Sequence, residues 1–194
     1  MIRLALIRHG HTEWNRAGRI QGRTNIALTP EARGHLARLA LPEPWDHAAL
    51  VSSPLARATE TAELISGRTP VEVPCLIEMD WGAWEGKKGV DLLADTNSGY
   101  HNIEDWGWSF RPPGGESPAD LRARLTPWVM SLKTDTLAVC HIGIMRVLLA
   151  MATGWNFSGA APFAVKRDRL YVLEITPEGY TLAGDPVRLA PRTP

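Results

Sequence analysis

The chain has little that would mark it as secreted, membrane-spanning or nucleic-acid-binding. Only two of its 194 residues are cysteine, Cys75 and Cys140, too few for a disulfide framework. A reducing compartment is therefore expected, and with it a cytoplasmic location. No apolar run is long enough for a bilayer: Leu4 to Ile7 is cut short by Arg8 and His9, and Leu137 to Trp155 is broken by His141 and Arg146. The same early interruption leaves no secretory signal to read. Neither sign of charge is in excess. Twenty-one Lys and Arg balance twenty-one Asp and Glu, which argues against a general binder of nucleic acid or of an anionic membrane. Lysine itself is scarce, since seventeen of the twenty-one cations are Arg. Arg3, Arg8, Arg16, Arg19 and Arg23 crowd the first twenty-three residues, with only Glu13 opposing them. Arginine presents a planar fork that matches phosphate or carboxylate oxygens in pairs.

What is present reads as an α/β chain. Arg3 to Ile7, Ala48 to Val51, Val71 to Cys75 and Thr136 to Cys140 are short, mostly apolar runs without alternation, as buried strands require. Leu170 to Ile175 and Tyr180 to Ala183 are later strands. Helices are expected between them, three of them opened by a hydroxyl residue and proline: Thr29-Pro30, Ser53-Pro54 and Ser117-Pro118. Another follows His141. Alternation of buried strands with helices predicts a three-layer sandwich, a mostly parallel sheet with helices on both faces. One domain over residues 1–194 is expected. The stretch 81–115 differs, with four Trp and a Pro112-Pro113-Gly114-Gly115 end; it is read as an excursion, partly helical around Val90 to Ala94, over the active-site edge. The last eighteen residues read as a closing hairpin and a loose tail.

In an open α/β sheet, ligands bind beyond the carboxyl ends of the strands. The first strand runs into Arg8-His9-Gly10, the second is followed by Ser53-Pro54-Leu55-Ala56-Arg57-Ala58, the third by Glu78, and the fourth by His141. Each strand thus delivers a polar group to one edge. Two Arg, two His and one carboxylate together suit a phosphoryl group and its departing oxygen.

Arg8-His9-Gly10, the Ser-Pro-x-x-Arg-Ala block, Glu78 to Gly86 and the late His141 occur in the order of a known pattern. The sequence resembles the histidine phosphatase superfamily, also called phosphoglycerate mutase-like, over about residues 3 to 175. Gln21-Gly22 followed by Leu28-Thr29, and Gly115-Glu116-Ser117, also match. The resemblance implies a cytoplasmic, metal-independent phosphomonoester hydrolase that needs no cofactor and acts on a small phosphorylated substrate. It implies that His9 attacks phosphorus. Arg8, Arg57, His141 (as an imidazolium) and Asn15 hold the phosphoryl oxygens, with Gln21, Gly22 and Ile142 beside them. Glu78 protonates the leaving alcohol, with Asp80 and Glu85 as rival acids. Asn25, Ala32, Cys140 and Ile142 depart from the family pattern at positions usually held by Asp, Gly, Ser or Thr, and Gly; none of them removes a catalytic group.

Other readings stand beside this one. Cys140 to Arg146 fits the Cys-x5-Arg loop of thiolate phosphatases, although that leaves Arg8, His9, Arg57 and Glu78 without work. His9 and His11 could be a metal pair. Trp106 and Trp108 could meet an apolar leaving group. A phosphomutase would need more cations in the excursion than Lys87, Lys88 and Arg111. A non-catalytic phospho-ligand binder would not need both His9 and Glu78. Oligomeric state, with a homodimer as one candidate, is open.

Overall fold

A computed structural model describes residues 1–192. In chain order the elements are β1 (Ile2–Arg8), α1 (Glu13–Arg16), α2 (Pro30–Leu36), β2 (Leu39–Ala40), β3 (Ala49–Ser52), α3 (Ala56–Ser66) and β4 (Val71–Glu72). There follow α4 (Gly89–Ala94), α5 (Pro118–Ser131), β5 (Thr136–Cys140), α6 (Ile142–Thr153), β6 (Arg169–Thr176), β7 (Gly179–Leu182), β8 (Val187–Arg188) and β9 (Ala190–Pro191). The main sheet has the order β4-β3-β5-β1-β6-β7, with β8 also on β6. Strands β4, β3, β5 and β1 run parallel, whereas β6, β7 and β8 pair antiparallel. Four carboxyl ends therefore share one edge.

Side-chain alternation along β1 splits the core in two. Leu4 and Leu6 pack with Leu121, Leu125 and Val129 of α5 and with Ile144 and Leu148 of α6. Ala5 and Ile7 face the other way, onto Ala32 and Leu36 of α2 and Ala58, Ala62 and Ile65 of α3. Helices thus cover both faces, and β5, buried along its whole length, lies between them.

Three local expectations need correction. Ser53 and Pro54 do not open α3, which starts at Ala56 with no side-chain cap; the Ser53 hydroxyl is turned to His141 instead. The strand expected over 71–75 is only two residues long, because Pro74 starts a 3-10 turn over Pro74–Leu76. The tail is not loose as far as Arg192: β8 pairs with β6 and β9 with β2. Residues 193 and 194 lie outside the described residues.

The excursion leaves after β4 and returns at α5. Its base is a close backbone crossing: Ala83 N–H donates to Pro113 O at 2.9 Å, and Glu116 N–H to Asp80 O at 2.9 Å. Gly82, at φ +49°, is required there, since a Cβ would sit 2.2 Å from the Pro113 carbonyl. Trp84 packs edge-on to Tyr100 (5.0 Å between centroids), and Trp106 lies against Trp81 and Phe110 at 5.4 and 5.0 Å. Among the described residues no helix is long and apolar enough to cross a membrane.

Candidate active site

Arg8 closes β1, and His9 follows with its backbone N–H on Cys140 O at 3.0 Å, a last rung of the β1–β5 ladder. The ladder fixes His9 and His141 as neighbours across two strands, their ring centroids 5.1 Å apart. His9 Nδ1 lies 2.7 Å from Gly10 O, which can only accept, so Nδ1 carries the proton and Nε2 holds the free lone pair. His141 has the same charge by another route. Its Nδ1 accepts from Arg57 Nε at 3.3 Å, and its Nε2–H donates to Ser53 Oγ at 2.7 Å. Burial holds both imidazoles well below their ordinary pKa of 6.5; His141, Arg57, Arg8 and Arg167 add to it for His9, and Arg57, Arg8 and Arg124 for His141. His141 is therefore neutral, not the imidazolium expected from sequence.

A cavity of about 160 Å³ opens beside His9. Arg8, His9, Asn15, Gln21, Glu78 and Ile142 line it, with Arg19, Ile20 and Trp81 completing the wall. Arg57, His141 and Gly22 are not among its lining residues. Arg57 is fully buried in α3, and beyond His141 it donates from Nη1 to Thr24 O at 2.9 Å and from Nη2 to Gly22 O at 2.7 Å. Its guanidinium clamps the 22–24 loop to His141. Burial pushes Arg8 down to about 9 and Arg57 to about 10, so both keep their charge at neutral pH. Arg8 Nε and Gln21 Nε2 are buried without a hydrogen-bond partner among the described residues. The wall consequently offers unused donors.

Glu78 is also buried, and its carboxylate accepts Met79 N–H at Oε1 (2.8 Å) and Gly143 N–H at Oε2 (3.1 Å). The second donor belongs to the first turn of α6, where the N–H groups and the helix dipole favour negative charge. Gly143 is glycine for this contact, because a Cβ would meet Glu78 Oε1 at 2.5 Å. Burial nevertheless raises the Glu78 pKa overall. Its two rivals are placed elsewhere. Asp80 accepts Gly82 N–H and faces Arg23 at 3.4 Å. Glu85 accepts Thr24 N–H at 2.6 Å; burial pushes its pKa up, but this donor and the backbone N–H groups of Arg23 and Gly22 bring it below the ordinary value.

Sequence reading missed several supports. Arg124 of α5 grips the backbone that carries Glu78, through the carbonyls of Cys75, Ile77 (2.9 Å) and Glu78 (3.3 Å), and is itself held by Glu116. Arg167 reaches His9 O at 3.1 Å and Asn15 Oδ1 at 2.8 Å. No local signal marks either Arg, since each lies far along the chain from what it holds. Ser53 was legible only as part of its block. Trp81, not Trp106 or Trp108, is the excursion's aromatic at the cavity; Trp106 lies in the aromatic cluster, and Trp108 packs on Phe157 under Arg122. Cys140 is fully buried in the core, and burial together with Glu78 raises its thiol pKa far above the thiolate range. That placement removes the thiolate reading. His11 faces a different cavity from His9, and no group of three or more His, Cys, Asp or Glu among the described residues is placed to hold a metal ion.

A neutral imidazole with a free Nε2, the guanidiniums of Arg8 and Arg57, and a buried carboxyl whose pKa is raised stand together at the carboxyl edge of an α/β sheet. The chain belongs to the histidine phosphatase superfamily (branch 1), whose family model matches residues 4–184. It is 34% identical over 165 residues to the bifunctional protein Rv2228c of Mycobacterium tuberculosis, covering 77% of this chain but 44% of that protein. The chain thus spans less than half the length of that relative. It is 32% identical over 163 residues to the probable phosphoglycerate mutase GpmB of Erwinia tasmaniensis, covering 79% of this chain and 76% of that one. Among solved structures it is similar to TTHB049 from Thermus thermophilus, at 33% identity and a TM-score of 0.74, over 97% of this chain and 99% of that one.

Proposed function

We propose that the protein is a phosphomonoester hydrolase that passes the phosphoryl group through His9. The observation that carries this is the His9 tautomer: Nδ1–H is fixed on Gly10 O, and Nε2 is left as the one unprotonated nitrogen at the cavity. In the first step the Nε2 lone pair forms a bond to phosphorus, and the ester P–O bond breaks. The leaving oxygen takes a proton from Glu78, whose raised pKa keeps that proton available nearer neutral pH. In the second step water attacks phosphorus, its proton passes to Glu78, and the N–P bond breaks. The sum is ester and water to alcohol and phosphate.

Arg8 Nε and Gln21 Nε2 supply hydrogen bonds to the phosphoryl oxygens, and Arg57 holds His141 and the 22–24 loop behind them. Charge stabilisation and positioning are the main demands of phosphoryl transfer. A cavity of about 160 Å³ is smaller than most ligand pockets, roughly 300–1,000 Å³, so it suits a phosphoryl group and the first atoms of its ester. The remainder of a small phosphorylated metabolite would extend past Arg19. Intact-mass detection of an acid-labile phosphoryl adduct on the parent, absent from His9→Ala, tests the nucleophile. An adduct that persists in His9→Ala refutes it.

A phosphoglycerate-type mutase is the second reading, favoured by the name of the Erwinia tasmaniensis relative. It predicts return of the phosphoryl group to an acceptor acid in preference to release of inorganic phosphate, and a phosphate-release assay over phosphoglycerates and sugar phosphates separates the two.

A further inference from the structure

Arg167 lies two residues before β6, and nothing in its own stretch explains why it points inward. The next residue does. Asp168 takes φ +54°, a left-handed conformation that is uncommon outside glycine and is adopted more readily by Asp and Asn than by other side chains. It is held from two sides: His35 Nε2 lies 2.8 Å from Asp168 Oδ2, and Leu189 N–H donates to Asp168 O at 3.0 Å. The kink precedes β6 at the catalytic edge, because β6 runs antiparallel to β1. It sends Arg167 under His9, where Nε donates to the His9 carbonyl and Nη2 to Asn15 Oδ1.

The second contact determines which end of each amide faces the cavity. Asn15 Oδ1 is taken by Arg167 Nη2 and by Thr12 N–H (3.2 Å), so Asn15 Nδ2 is the end left for Gln21. It donates to Gln21 Oε1 at 3.0 Å, and Thr12 Oγ1 donates to the same oxygen at 2.8 Å. With its oxygen doubly engaged, Gln21 keeps Nε2 as its free donor on a residue that lines the cavity, and that nitrogen is buried with no partner among the described residues. We infer that Arg167 is a positioning residue: through Asn15 and Gln21 it sets the amide orientation that makes the cavity wall a hydrogen-bond donor to a phosphoryl oxygen, while holding the His9 backbone in place. The inference rests on the reading that the site binds a phosphoryl group.

Arg167 also belongs to the charge around His9, with His141, Arg57 and Arg8 as the other groups that disfavour its protonation. A fork and a charge can be removed separately. Arg167→Gln removes both, and Arg167→Lys keeps the charge but loses the fork. The assays are p-nitrophenyl phosphate turnover as a function of pH and calorimetric titration with inorganic phosphate. Arg167→Gln is expected to lose about 10- to 100-fold in kcat/KM, the scale of a misplaced reacting group. Its acid limb should move to higher pH, and phosphate should bind about tenfold more weakly, as befits one lost hydrogen bond to a charged group. Arg167→Lys should return the acid limb to its parental position without restoring phosphate affinity. Asn15→Asp is the check if Arg167→Gln does not fold: Arg167 keeps its acceptor, but position 15 can no longer donate to Gln21, and phosphate binding should again weaken. Parental phosphate affinity in both Arg167→Lys and Asn15→Asp overturns the relay. Full activity in His9→Ala would instead refute the phosphohistidine reading, and the phosphate titrations would still decide the relay.

Discussion

Replacing Glu78 with Gln is the most demanding test of the proposed chemistry, because the structure sets both a catalytic and a structural consequence. The variant keeps the side-chain volume but has no proton to transfer. General acid assistance is worth roughly 10²- to 10⁴-fold, or about 3–5 kcal/mol of barrier, when the leaving group needs a proton. An alkyl phosphate such as glycerol phosphate needs it; p-nitrophenyl phosphate leaves as a phenolate and needs it far less. The alkyl ester should therefore lose about two or more powers of ten beyond the aryl ester. Stability changes as well. Two backbone N–H groups, of Met79 and Gly143, point at the two carboxylate oxygens, and Gln offers only one oxygen. One buried N–H is left facing an amide NH2, at a cost of about 1–3 kcal/mol, partly offset by removing a buried acid. At about 2–4 °C per kcal/mol, Tm should fall by several degrees. The folded-state pKa of Glu78 is raised, so its contribution to stability is present at low pH and lost as pH rises through that value; Glu78→Gln should lack this slope. The assay is kcat/KM on the two esters, which reports the first step and not the shared hydrolysis of the phosphohistidine, together with calorimetric Tm. An equal loss of kcat/KM on both esters, or a parental value for the alkyl ester, refutes the assignment of Glu78 as acid.

Three further outcomes are expected. Cys140→Ser should keep most of its turnover, because the thiol lies in the core and is held protonated, while thermal denaturation should show a lower Tm from the buried hydroxyl. His9 and His141 have folded pKa values below the ordinary 6.5, so the unfolded chain takes up protons first as pH falls. Stability should therefore drop as pH falls through about 6.5, and a His141→Gln variant should show a shallower drop in denaturant midpoint. For the same reason the acid limb of kcat/KM for the parent should lie below 6.5; a limb above it would mean that His9 is charged at rest.

Much of the fold was legible because buried strands and capped helices are local facts. Thr29 and Ser117 both cap their helices as read, the latter in a full capping box with Asp120. Ser53-Pro54 has the same two residue types and did not cap. Its hydroxyl is 2.7 Å from an imidazole eighty-eight positions away, a competition that no local rule can weigh. The excursion was visible from its Trp and Pro content, but the aromatic at the cavity was not, since that depended on where the Gly82–Pro113 crossing turns the chain.

By itself, the sequence determined which residue types arrive at the carboxyl ends of β1, β3, β4 and β5, because strand-end position follows from short-range pattern. Only the tertiary structure decided their roles. Three carboxylates within eight residues, Glu78, Asp80 and Glu85, differ in whether the packing of α5 and α6 buries them at the cavity or leaves them against Arg23 or the Thr24 N–H. Protonation and orientation at His9, His141, Asn15 and Gln21 are likewise set by partners such as Arg57 and Arg167, which lie tens to more than a hundred residues away. Desolvation and hydrogen-bond direction are properties of the assembled neighbourhood, and no single stretch of chain contains one.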